Sequence, residues 1–206
     1  MTVSCADVRA AFVASLGAPD HLGVPNINVD IQCTQFIPGD TAGIGFWQNK
    51  NGQALIKSLN GGSGSTALGN WLASNFPYLF GANAGGRNLT GKSNLAVASL
   101  FVKLFNMSGP KTDAQIMATA LAVYVTDSDL AGNAGVKYGF NVSTSGTGEE
   151  PYHLGSLGSA IGLPDDSHPT VMDLLLQANA EKQAGTFNGV AFNAIFGDIN
   201  ESGDRD

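Results

Sequence analysis

The most unusual local run of side chains is Phe46-Trp47-Gln48-Asn49-Lys50-Asn51-Gly52-Gln53. Primary amides present paired donors and an acceptor to sugar hydroxyls, and an indole face stacks on a pyranose ring. Trp47, Asn49, Asn51 and Gln53 are therefore the first candidates for ligand binding, with carbohydrate as the ligand. The competing reading is structural: Trp47 in the core, with the amides capping and turning a helix. A second group lies at Asp198-Ile199-Asn200-Glu201-Ser202-Gly203-Asp204. Oxygen side chains at positions 1, 3 and 5, with Gly at position 6, imitate the first half of a calcium loop. Asp198, Asn200, Ser202 and Asp204 are the candidate ligands and calcium the candidate ion; no other cofactor is expected. The Glu that such loops carry at position 12 has no counterpart, and the same residues suit a helix end.

The catalytic inventory is thin. His21, His153 and His168 are scattered among Gly, Pro and loop segments, without His-Glu-x-x-His or Gly-x-Ser-x-Gly spacing. Gly155-Ser156-Leu157-Gly158-Ser159 has the wrong spacing for a nucleophile elbow. Glu149-Glu150 and Asp165-Asp166 are acidic pairs in loops, and two carboxylates on separate loops are what a glycosidase requires. Adjacent acids are more often a solvated turn. Tyr152-His153 with Asp165, Asp166 and His168 would make a metal site if the fold gathered them. No catalytic residue is nominated on this basis.

These groups need a scaffold, and composition bounds it. The 206 residues are enough for one large domain, or one domain and an appendage, with a core that requires no metal. Charged residues make up 13 %, about half the usual ~25 %, and Gly, Ser, Thr and Asn fill the deficit. That balance fits an extracellular protein. The net charge of −7 and the isolated placing of Lys50, Lys57, Arg87, Lys92 and Lys103 exclude a phosphate-binding surface, so no nucleic-acid partner is expected. No run of ~20 apolar residues exists, so no membrane insertion is expected. Cys5 and Cys33 are expected to pair, closing a Pro- and Asn-rich loop worth on the order of 3–4 kcal/mol. The chain opens without a basic n-region or apolar h-region, so the secreted reading expects an export signal already removed.

Periodicity predicts a fold that is all-α or mainly α, a single helical domain. Ser4 to Gly17 reads as a short capped helix, and 18–43 as irregular. Helices are expected within 47–59 and 66–76, the latter closed by Pro77. Ser93 caps an apolar helix to Phe105, and Asp113 caps another to Val125. Gly109-Pro110 joins them closely, predicting a helical hairpin as the core. Tyr138, Phe140 and Val142 alternate like a small β element near 136–143. Further helices are expected at 170–184 and 190–199. The division expected is an N-terminal extension over 1–42, with the disulfide, and a helical module over 43–206.

Several phrases carry a resemblance: Gly45-Phe46-Trp47-Gln48-Asn49-Lys50-Asn51-Gly52-Gln53-Ala54-Leu55-Ile56, Leu68-Gly69-Asn70-Trp71-Leu72, Asn88-Leu89-Thr90-Gly91-Lys92, Ala118 through Thr126, and Phe196 through Asp204. Over residues 43–204 the chain resembles an uncharacterised module of large bacterial secreted and cell-surface proteins, often beside immunoglobulin-like repeats. The resemblance implies an extracellular setting and a modular parent, and no reaction. In a bacterial protein the sequons at Asn88, Asn106 and Asn141 would be empty.

The function expected is a non-catalytic extracellular module for adhesion, carbohydrate contact or assembly. Its partner would be a polysaccharide, another extracellular polymer, or like subunits. The alternatives are a secreted polysaccharide-active hydrolase using the loop carboxylates, and a self-assembling filament or surface-layer subunit.

Overall fold

Asn49 ends one helix and begins the next. The computed structural model, which describes residues 36–205, bends here between α1 (Ile44–Gln48) and α2 (Lys50–Ser58). The Asn49 backbone is extended, and its side-chain oxygen accepts the amides of Asn51 and Gly52, satisfying two orphan donors of α2. Gly52 makes the bend possible. A Cβ at this position would overlap the Phe46 carbonyl and the Trp47 backbone.

The remaining helices are α3 (Ala67–Asn75), α4 (Asn94–Asn106), α5 (Thr112–Thr126), α6 (Ser128–Ala131), α7 (Val171–Ala184) and α8 (Gly189–Ser202). Short 3-10 turns punctuate the loops between them. α7 has a full capping box: Thr170 and Asp173 each accept the other's backbone amide, and Gly185 closes the helix in the left-handed region.

α5 is the centre of the module. Every residue from Ile116 to Thr126 is buried, as befits a helix that is apolar on all sides. Its most extensive interface is with α8. Thr112 donates to the Gly189 carbonyl and Thr119 to Asn200, so contacts advance in the same direction along both chains and the helices run parallel. α4, joined to α5 by residues 107–111, packs on it less extensively. The expected α4–α5 hairpin is therefore not the dominant unit of the core. A short connection dictates which helices are neighbours in sequence, while an apolar surface all round lets α5 take a larger partner elsewhere.

The β element expected near 136–143 is not formed. Val136–Tyr138 is a 3-10 turn, ended by Gly139 at φ +87°, which breaks the extended run. Among the described residues the only bridges are isolated ones: Thr41 with Asp204, Asp127 with Ser143, and Pro151 with Thr170.

Residues 36–42, grouped by sequence with the N-terminal extension, pack into the helical module. Thr41 donates its amide to the Gly203 carbonyl at 3.0 Å and its hydroxyl to the Ile199 carbonyl at 2.9 Å. Gly43 donates to Asp204 Oδ1 at 3.1 Å, and the Thr41–Asp204 bridge is parallel. Phe36 and Ala42 join the core cluster, and the Arg205 guanidinium lies 4.3 Å from the Phe46 ring centre. Buried apolar side chains decide the boundary here, and the irregular sequence before Ile44 hides them. The Ser4–Gly17 helix and the Cys5–Cys33 disulfide lie outside the described residues. No helix among the described residues is long and apolar enough to cross a membrane.

Candidate binding site beside Trp71

The amide run is placed for structure. Trp47 has 0 % of its surface exposed, packs on Phe46 and Phe140, and donates its indole N–H to the Ala42 carbonyl at 3.1 Å. The sugar-stacking role expected of it fails because the ring has no free face. Asn49 is the α2 cap. Gln53 donates to the carbonyls of Trp47 and Ala98, at 3.0 and 3.1 Å, tying the bend to α4. Gln48, Asn49 and Asn51 are exposed, and of these Asn49 is committed to its cap.

The calcium candidates do not share a loop. Asp198, Asn200 and Ser202 lie within α8. Asp198 accepts the Tyr152 hydroxyl at 2.8 Å, and Asp204 caps Gly43. Asn200 is buried, accepting from Thr119 and donating to both oxygens of Gln115. The helix spreads these oxygens around its axis, where a calcium loop would converge them.

The acidic pairs separate. Glu150 is half-buried, and its carboxyl is pushed above the usual carboxylate range by burial and then by the charge of Asp40. Glu149 is exposed and lines a cavity.

That cavity has a volume of about 200 Å³ and combines aromatic, apolar and acidic side chains. Trp71 of α3 forms one wall. It meets Phe76 and Tyr124 edge-on, at centroid distances of 5.6 and 5.2 Å, and keeps part of its surface open. Val123, Leu130 and Met172 add apolar wall, and Asp127, Glu149 and Ser145 supply oxygens. Asp127 uses Oδ1 to cap α6 through the amides of Asp129 and Leu130. The 145–149 loop is drawn to the end of α5 by the Thr147 amide, which donates to Thr126 Oγ1 at 2.8 Å. Gly146, at φ +56°, sits so close to Thr126 and Asp127 that a side chain would collide with them.

A polar rim backs the aromatic wall. Tyr124 donates its hydroxyl to Asn60 Oδ1 at 2.8 Å, and Asn60 donates to the Leu130 carbonyl at 2.7 Å. Asn60 has φ 48°, a conformation Asn tolerates better than most residues. Burial keeps the Tyr124 hydroxyl protonated beyond its ordinary range, and the charge of Asp127 acts in the same direction.

No cation lines the cavity. Its carboxylates accept from hydroxyls or amines, while the indole and the apolar wall suit a C–H face. A larger depression of about 410 Å³ has Arg87, Lys103 and Asp113 on its walls but no aromatic ring. Arg87 is paired with Asp113 there.

Sequence reasoning nominated Trp47, which is buried, and neither Trp71 nor Asp127, which line this cavity. The available signal was position: Trp71 lies beside the Leu68–Leu72 core stripe, at its edge, and Asp127 directly follows an apolar helix. Comparison of the chain with protein-family models, curated proteins and solved structures finds no match.

Proposed function

We propose that residues 36–205 form a non-catalytic carbohydrate-contacting module of a secreted or cell-surface protein, with the Trp71 cavity as its binding site. The observation that supports this reading is one concavity uniting a half-open indole with the oxygens of Asp127, Glu149 and Ser145. Carbohydrate recognition calls for that pairing of an apolar stacking face with hydroxyl acceptors. A volume of about 200 Å³ is below the usual ~300–1,000 Å³ of drug-sized pockets and suits one ring or one chain end. The low charge of the chain supports the extracellular setting.

The test is retention on insoluble cellulose, chitin and peptidoglycan, with a glycan array alongside. Trp71→Ala should weaken retention ~10-fold or more, the scale of truncating an aromatic anchor. Circular dichroism must show the helices intact. Unchanged retention by the folded variant would overturn the site. A second reading, a polysaccharide hydrolase, draws on the presence of Asp127 and Glu149 in the same cavity. It requires soluble sugar release that Glu149→Gln abolishes.

A further inference from the structure

Two segments with little regular secondary structure lie side by side as a short antiparallel ribbon. Tyr152 and Leu154 donate their amides to the carbonyls of Pro169 and Ser167, at 2.8 and 3.0 Å, and Val171 donates to Glu150 at 2.9 Å. Pro151 bridges Thr170 in the antiparallel sense. These contacts set the register: 150 opposite 171, 152 opposite 169, 154 opposite 167. His153 therefore faces His168 at a position without cross-strand hydrogen bonds, where facing side chains approach most closely.

The imidazoles stack with centroids 4.6 Å apart and planes inclined by 13°. Asp166 Oδ1 lies 3.4 Å from His153 Nε2. Asp166 itself is held at φ 56°, unusual for a residue with a side chain, while its amide donates to the Gly155 carbonyl at 2.7 Å. The two other residues weighed for a metal are engaged elsewhere. Tyr152 donates to Asp198, and Asp165 accepts the Ser159 amide at 2.7 Å.

We propose that His153 and His168 bind a divalent transition cation of the Zn²⁺, Ni²⁺ or Cu²⁺ class, with Asp166 orienting His153. Imidazole pairs select these ions over calcium, which takes oxygen ligands. A carboxylate on the second ring nitrogen of a ligating histidine fixes its orientation and raises its basicity. Asp166 stands at Nε2, leaving Nδ1 of His153 for the ion. In the stacked arrangement the ring planes lie face to face, and no group of three His, Cys, Asp or Glu among the described residues is already set around a metal position. Closing on a shared ion takes rotation about χ2 of the imidazoles, a soft torsion. The rotation takes place at the surface, since the His153 and Asp166 side chains are 51 % and 81 % exposed and His168 is exposed as well. Backbone register has already brought the two rings together, and water completes the coordination.

Calorimetric titration of the full chain with ZnCl₂ tests this independently of the Trp71 cavity. Wild type should show saturable binding at pH 7.5 that disappears in the His153→Gln/His168→Gln double variant. Asp166→Asn should weaken it ~10-fold, the lower end for loss of an orienting partner. In parallel, NMR of the imidazoles should show both rings perturbed by ZnCl₂. Absence of saturable binding, or binding undiminished in the double variant, would overturn the site; the latter would place the ion on other residues. Binding unaltered by Asp166→Asn would remove the carboxylate from it.

Discussion

Thr119 donates its hydroxyl to Asn200 Oδ1 at 2.9 Å, fully inside the core between α5 and α8. The Asn200 amide in turn donates to the Gln115 carbonyl and to Gln115 Oε1, at 3.0 and 2.8 Å. An isolated buried amide would be costly; here every arm is used. Asn200→Leu strands these partners and should destabilise the fold by about 2 kcal/mol, measured by urea unfolding. A stability unchanged within error would show that the network contributes little.

Trp47 and Trp71 should separate stability from binding. Trp47→Ala removes a buried indole and its bond to Ala42, and should cost about 3–5 kcal/mol. Thermal unfolding would register this as a large fall in Tm. Trp71→Phe keeps an aromatic edge against Tyr124 and Phe76, so its effect should fall mainly on glycan retention.

Gly52→Ala should run against the usual rule. In an ordinary helix the change stabilises by about 0.5–1 kcal/mol. Here the added methyl meets the Phe46 carbonyl and the Trp47 backbone, neither able to move without opening the bend. A loss of about 1–3 kcal/mol is expected from calorimetry, and a gain in Tm would refute the close approach.

Glu150 supplies a pH signature. Its folded carboxyl titrates above the usual 4.5, through burial and then the nearby Asp40. Between the unfolded and folded values the native state holds more protons, so stability falls as pH rises through that window. The contribution is fully present in acid and lost toward neutrality. Glu150→Gln should therefore raise Tm at pH 7, with the advantage over wild type shrinking toward pH 4. An advantage independent of pH would point to packing instead.

The helices were legible where local chemistry suffices. Ser93 and Thr170 mark true starts, and the apolar density of 116–125 announces a core helix before any partner is known. What escaped depends on contacts distant in sequence. Nothing near Trp47 says that Phe140 will cover it, and nothing near Trp71 says that the 145–149 loop will leave it half-open. Asn200 reads as an exposed ligand until Thr119 and Gln115 arrive from α5. The facing of His153 and His168 is least legible of all, because Pro151, Pro164 and Pro169 make both segments read as loops and only hydrogen bonds between them set the register.

The parallel pairing of Thr41 with Asp204 gives the module a direction of mechanical resistance. The chain enters along 39–43 and leaves along 203–205, and both pieces run the same way. Tension applied through the two flanks would slide these pieces past one another in shear, loading the bonds at Gly203 and Asp204 together. A hairpin-like pairing would unzip one bond at a time. Force along the backbone thus loads the bonds that join Thr41 and Gly43 to Gly203 and Asp204.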